Sequence, residues 1–190
     1  MSLKDNKTIG ALSVESGVSE GLGDKGVFFE KGLTTRPWIL TANGSPIELP
    51  HSEAGISVAA FDYSAQEDAV RVKFSKVDNV FSISSYPLDY SREANGAMEL
   101  SFQVKSINGP TDVSVAAGCV ELVDCTNFHD IGISTEWSEK RISLRCALVN
   151  GVDMQNMKNA FTVTASEGAE IAVANVRLKQ ESAESIKCEN

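Results

Sequence analysis

Apolar and polar residues alternate with period two through the middle of the chain. In Met98–Lys105, Met98, Leu100, Phe102 and Val104 are separated by Glu99, Ser101 and Gln103, and Lys105 closes the run. Such a run predicts a half-buried strand with one face in a core and the other in water. Val70, Val72 and Phe74 alternate with Arg71 and Lys73 in the same way, and Ile142, Leu144 and Cys146 with Arg141, Ser143 and Arg145. Phe161 and Val163 make a shorter case. Ile171 and Val173, then Val176 and Leu178, keep the pattern across a one-residue slip at Ala174-Asn175, which predicts a β-bulge. Asn43-Gly44, Asn95-Gly96, Asn108-Gly109-Pro110, Asn150-Gly151 and Glu167-Gly168 supply turns between the runs. No long helical stripe competes. Asp153 is placed to cap one short turn carrying Met154 and Met157. Many short alternating strands with close turns predict an all-β fold, an antiparallel β-sandwich or jelly roll.

The edges of this pattern divide the chain. Residues 1–26 are rich in Gly, Ser, Lys, Asp and Glu and poor in large apolar side chains, so they read as a linker or connector, with one short strand at Ile9–Val14 and Met1-Ser2-Leu3 as an expression remnant. The sandwich is expected over 27–179, opening at Val27-Phe28-Phe29. The polar stretch 180–190 is expected to be a frayed tail.

Composition narrows the function. The chain has 190 residues, 42% hydrophobic and 23% charged, which favours one domain with a real core. No apolar run approaches the roughly 20 residues that span a bilayer. A net charge of −9 repels phosphates, so neither nucleic acid nor an anionic membrane is an expected partner. Two histidines give little material for a Ser–His or Cys–His machine. His129 stands near Cys125, but a zinc site needs three or four ligands and His51 is remote, so His129 reads as a surface or loop histidine.

Five phrases occur in order over 66–178: Gln66-Glu67-Asp68-Ala69, Ser91-Arg92-Glu93-Ala94-Asn95-Gly96-Ala97-Met98-Glu99-Leu100, the pair Cys119 and Cys125, Gly151-Val152-Asp153-Met154, and Asn175-Val176-Arg177-Leu178. Their order and spacing resemble the C-terminal galactose-binding-like domain of bacterial family-3 glycoside hydrolases of the exo-glucanase (ExoP) type. The resemblance implies a galactose-binding-like sandwich belonging to an exported exo-acting β-glucosidase or β-glucan glucohydrolase. It implies a non-catalytic role, because the family's nucleophile and acid/base lie in other domains. A barrel domain alone takes roughly 250 residues. The expected partners are the catalytic domains of the same parent polypeptide, and secondarily β-glucan. The expected location of the parent is periplasmic or secreted. The alternatives are an autonomous carbohydrate-binding module and a self-association domain. The chain departs from the family pattern at Phe74, where Trp is common, and at Ala147, where Phe is common. Both changes remove aromatic area.

Candidate site residues follow. Cys119 and Cys125 have five residues between them; in a reducing compartment they would be buried thiols or ligands. The exported family implies a disulfide instead. Cys146 reads as a core thiol on its strand, and Cys188 as incidental in the tail. Glycoside hydrolysis needs an acid and a carboxylate facing each other across a cleft. Glu67-Asp68 and Glu121/Asp124 sit at strand ends and read as solvated charges, so no catalytic residue is assigned. Trp38, Trp137, Tyr90, Arg92 and Asn95 are the candidates for sugar contact, although packing is the first reading of both tryptophans. No cofactor is expected except a structural calcium ion, for which Asp62, Asp68 and Asp124 are the candidate ligands.

Overall fold

A computed structural model describes residues 25–188. The expected strand at Ile9–Val14 and almost all of the 1–26 connector lie outside the described residues. The strands are β1 (Val27–Glu30), β2 (Leu33–Thr34), β3 (Ile39–Ala42), β4 (Ser45–Pro46), β5 (His51–Glu53), β6 (Ile56–Phe61), β7 (Ala69–Phe74), β8 (Val80–Leu88), β9 (Met98–Ser106), β10 (Thr111–Cys119), β11 (Phe128–Ile133), β12 (Ser138–Ser143), β13 (Met157–Ala165) and β14 (Glu170–Gln180). They form two sheets. The larger runs β12-β9-β14-β7-β6-β5, with β1 and β2 attached through β14. The smaller runs β11-β10-β13-β8-β3-β4. All strand pairs are antiparallel. The protein is therefore an all-β sandwich, as the alternation predicts.

The alternating apolar residues meet between the sheets. Val70, Val72 and Phe74 of β7, Leu100, Phe102 and Val104 of β9, and Phe161 and Val163 of β13 join one core with Trp38 and Tyr90. Phe102 and Phe161 touch across the layers with ring centroids 5.1 Å apart, edge to face. The bulge lies where the pattern slips: the β14–β9 register shifts between Ala174 and Arg177, and Asn175 takes φ +49°. Asp153 caps a single 3-10 turn at Met154–Asn156, its side chain accepting the Gln155 amide at 3.1 Å.

Two expectations are corrected. The strand expected to carry Cys146 ends at Ser143; Arg145–Val149 is instead a short helix, α2, that buries Cys146 and Ala147. Leu144 and Ala147 lie three apart, so the same apolar residues serve a helical turn as well as a strand. The tail does not fray at 180. Ile186 donates to the Arg141 carbonyl at 2.8 Å and accepts from the Ser143 amide at 3.0 Å, bridging β12 in parallel. Fully buried Glu99 holds the tail from below, accepting from the Ser182 amide at 3.0 Å and from the Ser185 hydroxyl. Cys188 is paired with Cys146, their Cα atoms 5.1 Å apart, so neither is a solitary thiol.

Both outer faces are partly covered. On the larger sheet, Glu99 and Ser101 lie under the tail and under Glu139 and Arg141, which bond to each other and to Ser101 and Ser182. On the smaller sheet, Thr41, Ser82 and Thr162 sit side by side by register and are buried. Leu122, in the β10–β11 loop, comes within reach of Gly44 in the β3–β4 turn. The sheet order puts β13 and β8 between them, so that loop lies across the hydroxyl row. Arg71 and Lys73 on the outer face of β7 stay exposed, and the rim of the sandwich is open.

Candidate functional site

The five sugar-contact candidates fall in two separate places. Trp38 is 3% exposed and Tyr90 1%. Trp38, Tyr90 and Phe28 form one aromatic cluster inside the sandwich, Trp38 meeting Phe28 edge to face at 4.9 Å. Neither ring can stack on a ligand. Arg92 and Asn95 are exposed on α1 (Ser91–Asn95), and the Asn95 amide is turned back onto the Ser91 carbonyl at 2.8 Å. Trp137 lies elsewhere, half-buried beside Tyr63 at 4.8 Å and Phe61 at 6.5 Å, with the Lys105 ammonium 5.9 Å from its ring.

The α1 turn has a different occupant. Lys25 lays its ammonium 4.6 Å from the Tyr90 ring centre and donates to the Asp89 carbonyl at 2.8 Å and to Glu93 at 3.0 Å. The Tyr90 hydroxyl donates to the Lys25 carbonyl at 2.7 Å. Glu93 is 5% exposed, so this ion pair is largely withdrawn from water on one side. Burial, and then the Glu93 charge, push the Tyr90 phenol well above its ordinary range, so it stays protonated as a donor. The phrase Ser91–Gly96 thus seats the chain that enters the sandwich.

The calcium candidates do not converge. Among the described residues no three His, Cys, Asp or Glu side chains gather as metal ligands. Asp124 is exposed in the β10–β11 loop, on the smaller sheet, while Asp62 and Asp68 flank the β6–β7 loop of the larger. Asp68 is also fully employed. It accepts from the Tyr63 amide at 2.6 Å, the Ser64 amide at 3.0 Å, the Ser64 hydroxyl at 2.9 Å and the Ala65 amide at 2.8 Å. Burial opposes its ionisation, but these four donors outweigh burial and hold the carboxyl down at about 2. The expectation of a solvated charge here is corrected: Asp68 is a buried loop clamp. His129 lies on β11 opposite Val115, not in a loop; its Nε2 is buried, and burial pushes its pKa below the ordinary value.

Cys119 and Cys125 are paired, with Cα atoms 5.4 Å apart, inside the usual cystine range. Buried Asn127 anchors the far side of that loop by donating to the Ala117 and Gly118 carbonyls at 3.0 and 3.1 Å.

The open rim lies at the end of β6. A cleft of about 690 Å³ runs between the β1–β2 turn and the β6–β7 loop, lined in part by Lys31, Leu33, Pro50, Gln66 and Glu67. An adjoining cleft of about 540 Å³ shares Ala60, Gln66 and Glu67 and reaches Phe61 and Asp62. Sequence reading missed this place. Its signal was the first family phrase, whose Gln66 and Glu67 carry the exposed side chains while Asp68 and Ala69 are buried.

A family profile described as galactose-binding domain-like (Exop_C) matches residues 41–178. Among solved structures, the exo-1,3/1,4-β-glucanase (ExoP) of a Pseudoalteromonas species superposes with TM-score 0.66 at 16% identity, covering 96% of this chain and 23% of that one. The extra C-terminal domain (X) of the same enzyme superposes with TM-score 0.63 at 18% identity, covering 87% of this chain and 99% of that one. A family 11 carbohydrate-binding module from Clostridium thermocellum, in complex with a β-1,3-1,4-mixed-linked tetrasaccharide, gives 0.55 at 12% identity, covering 82% and 95%. Comparison with curated proteins gives no match. This chain thus spans about a quarter of the glucanase and nearly the whole of its extra domain. With the family pattern matched over well more than half its length, the chain belongs to the ExoP C-terminal family of galactose-binding-like domains.

Proposed function

We propose that this chain is a non-catalytic accessory domain of an exported, exo-acting β-glucan hydrolase, and that it works by packing on the catalytic domains of its own polypeptide. The observation that carries this reading is the seat at Tyr90 and Glu93. A turn that sequence reading offered to a sugar is filled by Lys25, the residue through which the chain enters the sandwich. An ion pair, a cation–π contact and a hydrogen bond tie Lys25 into this turn, so the turn is occupied by the chain itself and not open to a sugar, which supports packing over sugar capture. Two cystines in 190 residues support an oxidising location.

The test is deletion of this domain from a full-length parent. The expected result is a lower melting temperature with turnover of a small aryl glucoside retained. Unchanged stability, with loss confined to polymeric substrate, would favour the second reading, a carbohydrate-binding module. That reading has its own support in the half-exposed Phe61–Tyr63–Trp137 cluster beside the rim.

A further inference from the structure

The geometry points to the paired rim clefts as a binding site for a short stretch of neutral glucan, with Gln66 and Glu67 as its hydrogen-bonding edge and Phe61 with Pro50 and Leu33 as its apolar walls. The substrate class rests on the accessory-domain reading above; the location does not.

The loop is built to hold these two side chains still. Asp68 clamps its start through Tyr63, Ser64 and Ala65. Asp62 accepts the Glu67 amide at 2.7 Å, closing the loop from the other side. Glu67 takes φ +56°, an uncommon conformation for a residue other than glycine. Gly32 packs so close beneath that a Cβ there would stand 2.0 Å from the Glu67 carbonyl oxygen. The β1–β2 turn and the β6–β7 loop are thus locked against each other, with Lys31 on the facing side also at positive φ, +53°. The side chains so presented do nothing internal. Gln66, Glu67 and Lys31 are exposed, and the described residues give their side chains no hydrogen bond or ion pair. Local strain held by over-determined surroundings, at a concave rim, marks a place where position matters.

The chemistry selects the ligand. The Gln66 amide offers both donors and an acceptor, the Glu67 carboxylate accepts, and Lys31 donates. Sugar hydroxyls need that mixture, each being donor and acceptor at once. The carbon-bound hydrogens of a pyranose need an apolar wall, which Phe61, Pro50 and Leu33 provide. Carboxylates on the rim disfavour an anionic ligand. The clefts fall within the usual range for ligand sites and adjoin at Gln66 and Glu67, which suits a chain of rings rather than a single one.

The test is a proton–nitrogen NMR titration of the 190-residue chain with a β-1,3-1,4-linked glucotetraose. The expected shifts cluster at Lys31, Phe61, Tyr63, Gln66 and Glu67. Glu67→Ala and Gln66→Ala, whose side chains support nothing in the fold, should each weaken binding about tenfold, a loss of about 1.4 kcal/mol, whereas Arg92→Ala should leave it unchanged. Shifts centred on α1, shifts indifferent to both loop variants, or no shifts at tens of millimolar sugar would each overturn the site. Those outcomes would leave the accessory reading standing, because deletion from the parent tests that separately.

Discussion

At the scale of single residues, Asp68 shows how one carboxylate can fix a whole loop through four donors. Its carboxyl is held at about 2, below the ordinary 3.8. A depressed carboxyl adds stability that is fully present above the unfolded value, near 4, and is lost as the pH falls through about 2. The corresponding contribution is about 2 kcal/mol at neutral pH. Asp68→Asn should therefore lower the urea midpoint at pH 7 by an amount equivalent to about 2 kcal/mol, and the gap from the unsubstituted protein should narrow toward pH 2. A gap independent of pH would mean that the clamp works by shape and not by charge. Gly32 makes the complementary case. At φ +77°, with the Glu67 carbonyl against it, no Cβ fits, so Gly32→Ala should destabilise by roughly 2 kcal/mol or more and should perturb the amides of Gln66 and Glu67 first.

At the scale of elements, the strands were legible and the attachments were not. Val70–Phe74 announced itself because one face is core and the other water, with Arg71 and Lys73 exposed between buried apolar residues. The polar face of Met98–Lys105 alternates just as clearly but is buried at Glu99 and Ser101 beneath the tail and the Glu139–Arg141 pair. The bulge at Asn175 was legible for the same reason: one slipped residue breaks the alternation. The tail was illegible because its hold depends on partners distant in sequence. Glu99 looks like any polar residue on a strand, yet it is fully buried and binds Ser182 and Ser185, more than eighty residues away. Cys146 and Cys188 share that difficulty, since pairing is a property of the folded chain and four cysteines allow three connectivities. The Tyr90 and Trp38 rings misled in the opposite direction: aromatic residues near a turn resemble a sugar platform until burial is known. For the paired cysteines, peptide mapping of non-reduced protein should recover Cys119 linked to Cys125 and Cys146 linked to Cys188. The second bond closes a long loop, its ends 42 positions apart in sequence. The chain-entropy account then assigns it about 4 kcal/mol. Cys188→Ser should accordingly cost more than Cys125→Ser in thermal melts. A negligible cost for Cys188→Ser would show that the docked tail is held by Glu99 and β12 without help from the cystine.

At the scale of the whole molecule, the distribution of covered and open surface decides what the domain can do alone. The smaller sheet is partly roofed by the β10–β11 loop and the larger is covered at β12 and β9 by the tail and an ionic network, so much of each broad face is closed to a polymer. Trp38 is locked in the core; Trp38→Ala would cost about 3–5 kcal/mol in stability and so cannot report on binding. The concave surface lies at the rim, and the Phe61, Tyr63 and Trp137 rings beside it pack on one another, leaving little free ring face. Sugar bound there must rely on hydrogen bonds that largely exchange with water, each worth about 0.5–1.5 kcal/mol net. Two or three such contacts with a modest apolar wall support a dissociation constant no tighter than about millimolar, near −4 kcal/mol. Calorimetry of the isolated chain with the mixed-linked tetrasaccharide should thus give little or no resolvable heat, while the NMR titration registers weak, local contact. Micromolar affinity, lost on Trp137→Ala with the melting temperature retained, would make the domain an autonomous binding module and Trp137 its platform. Weak contact at Glu67 would instead suit a domain fixed beside a catalytic cleft, where a short stretch of chain need only be steadied, because attachment to the enzyme already supplies a high local concentration.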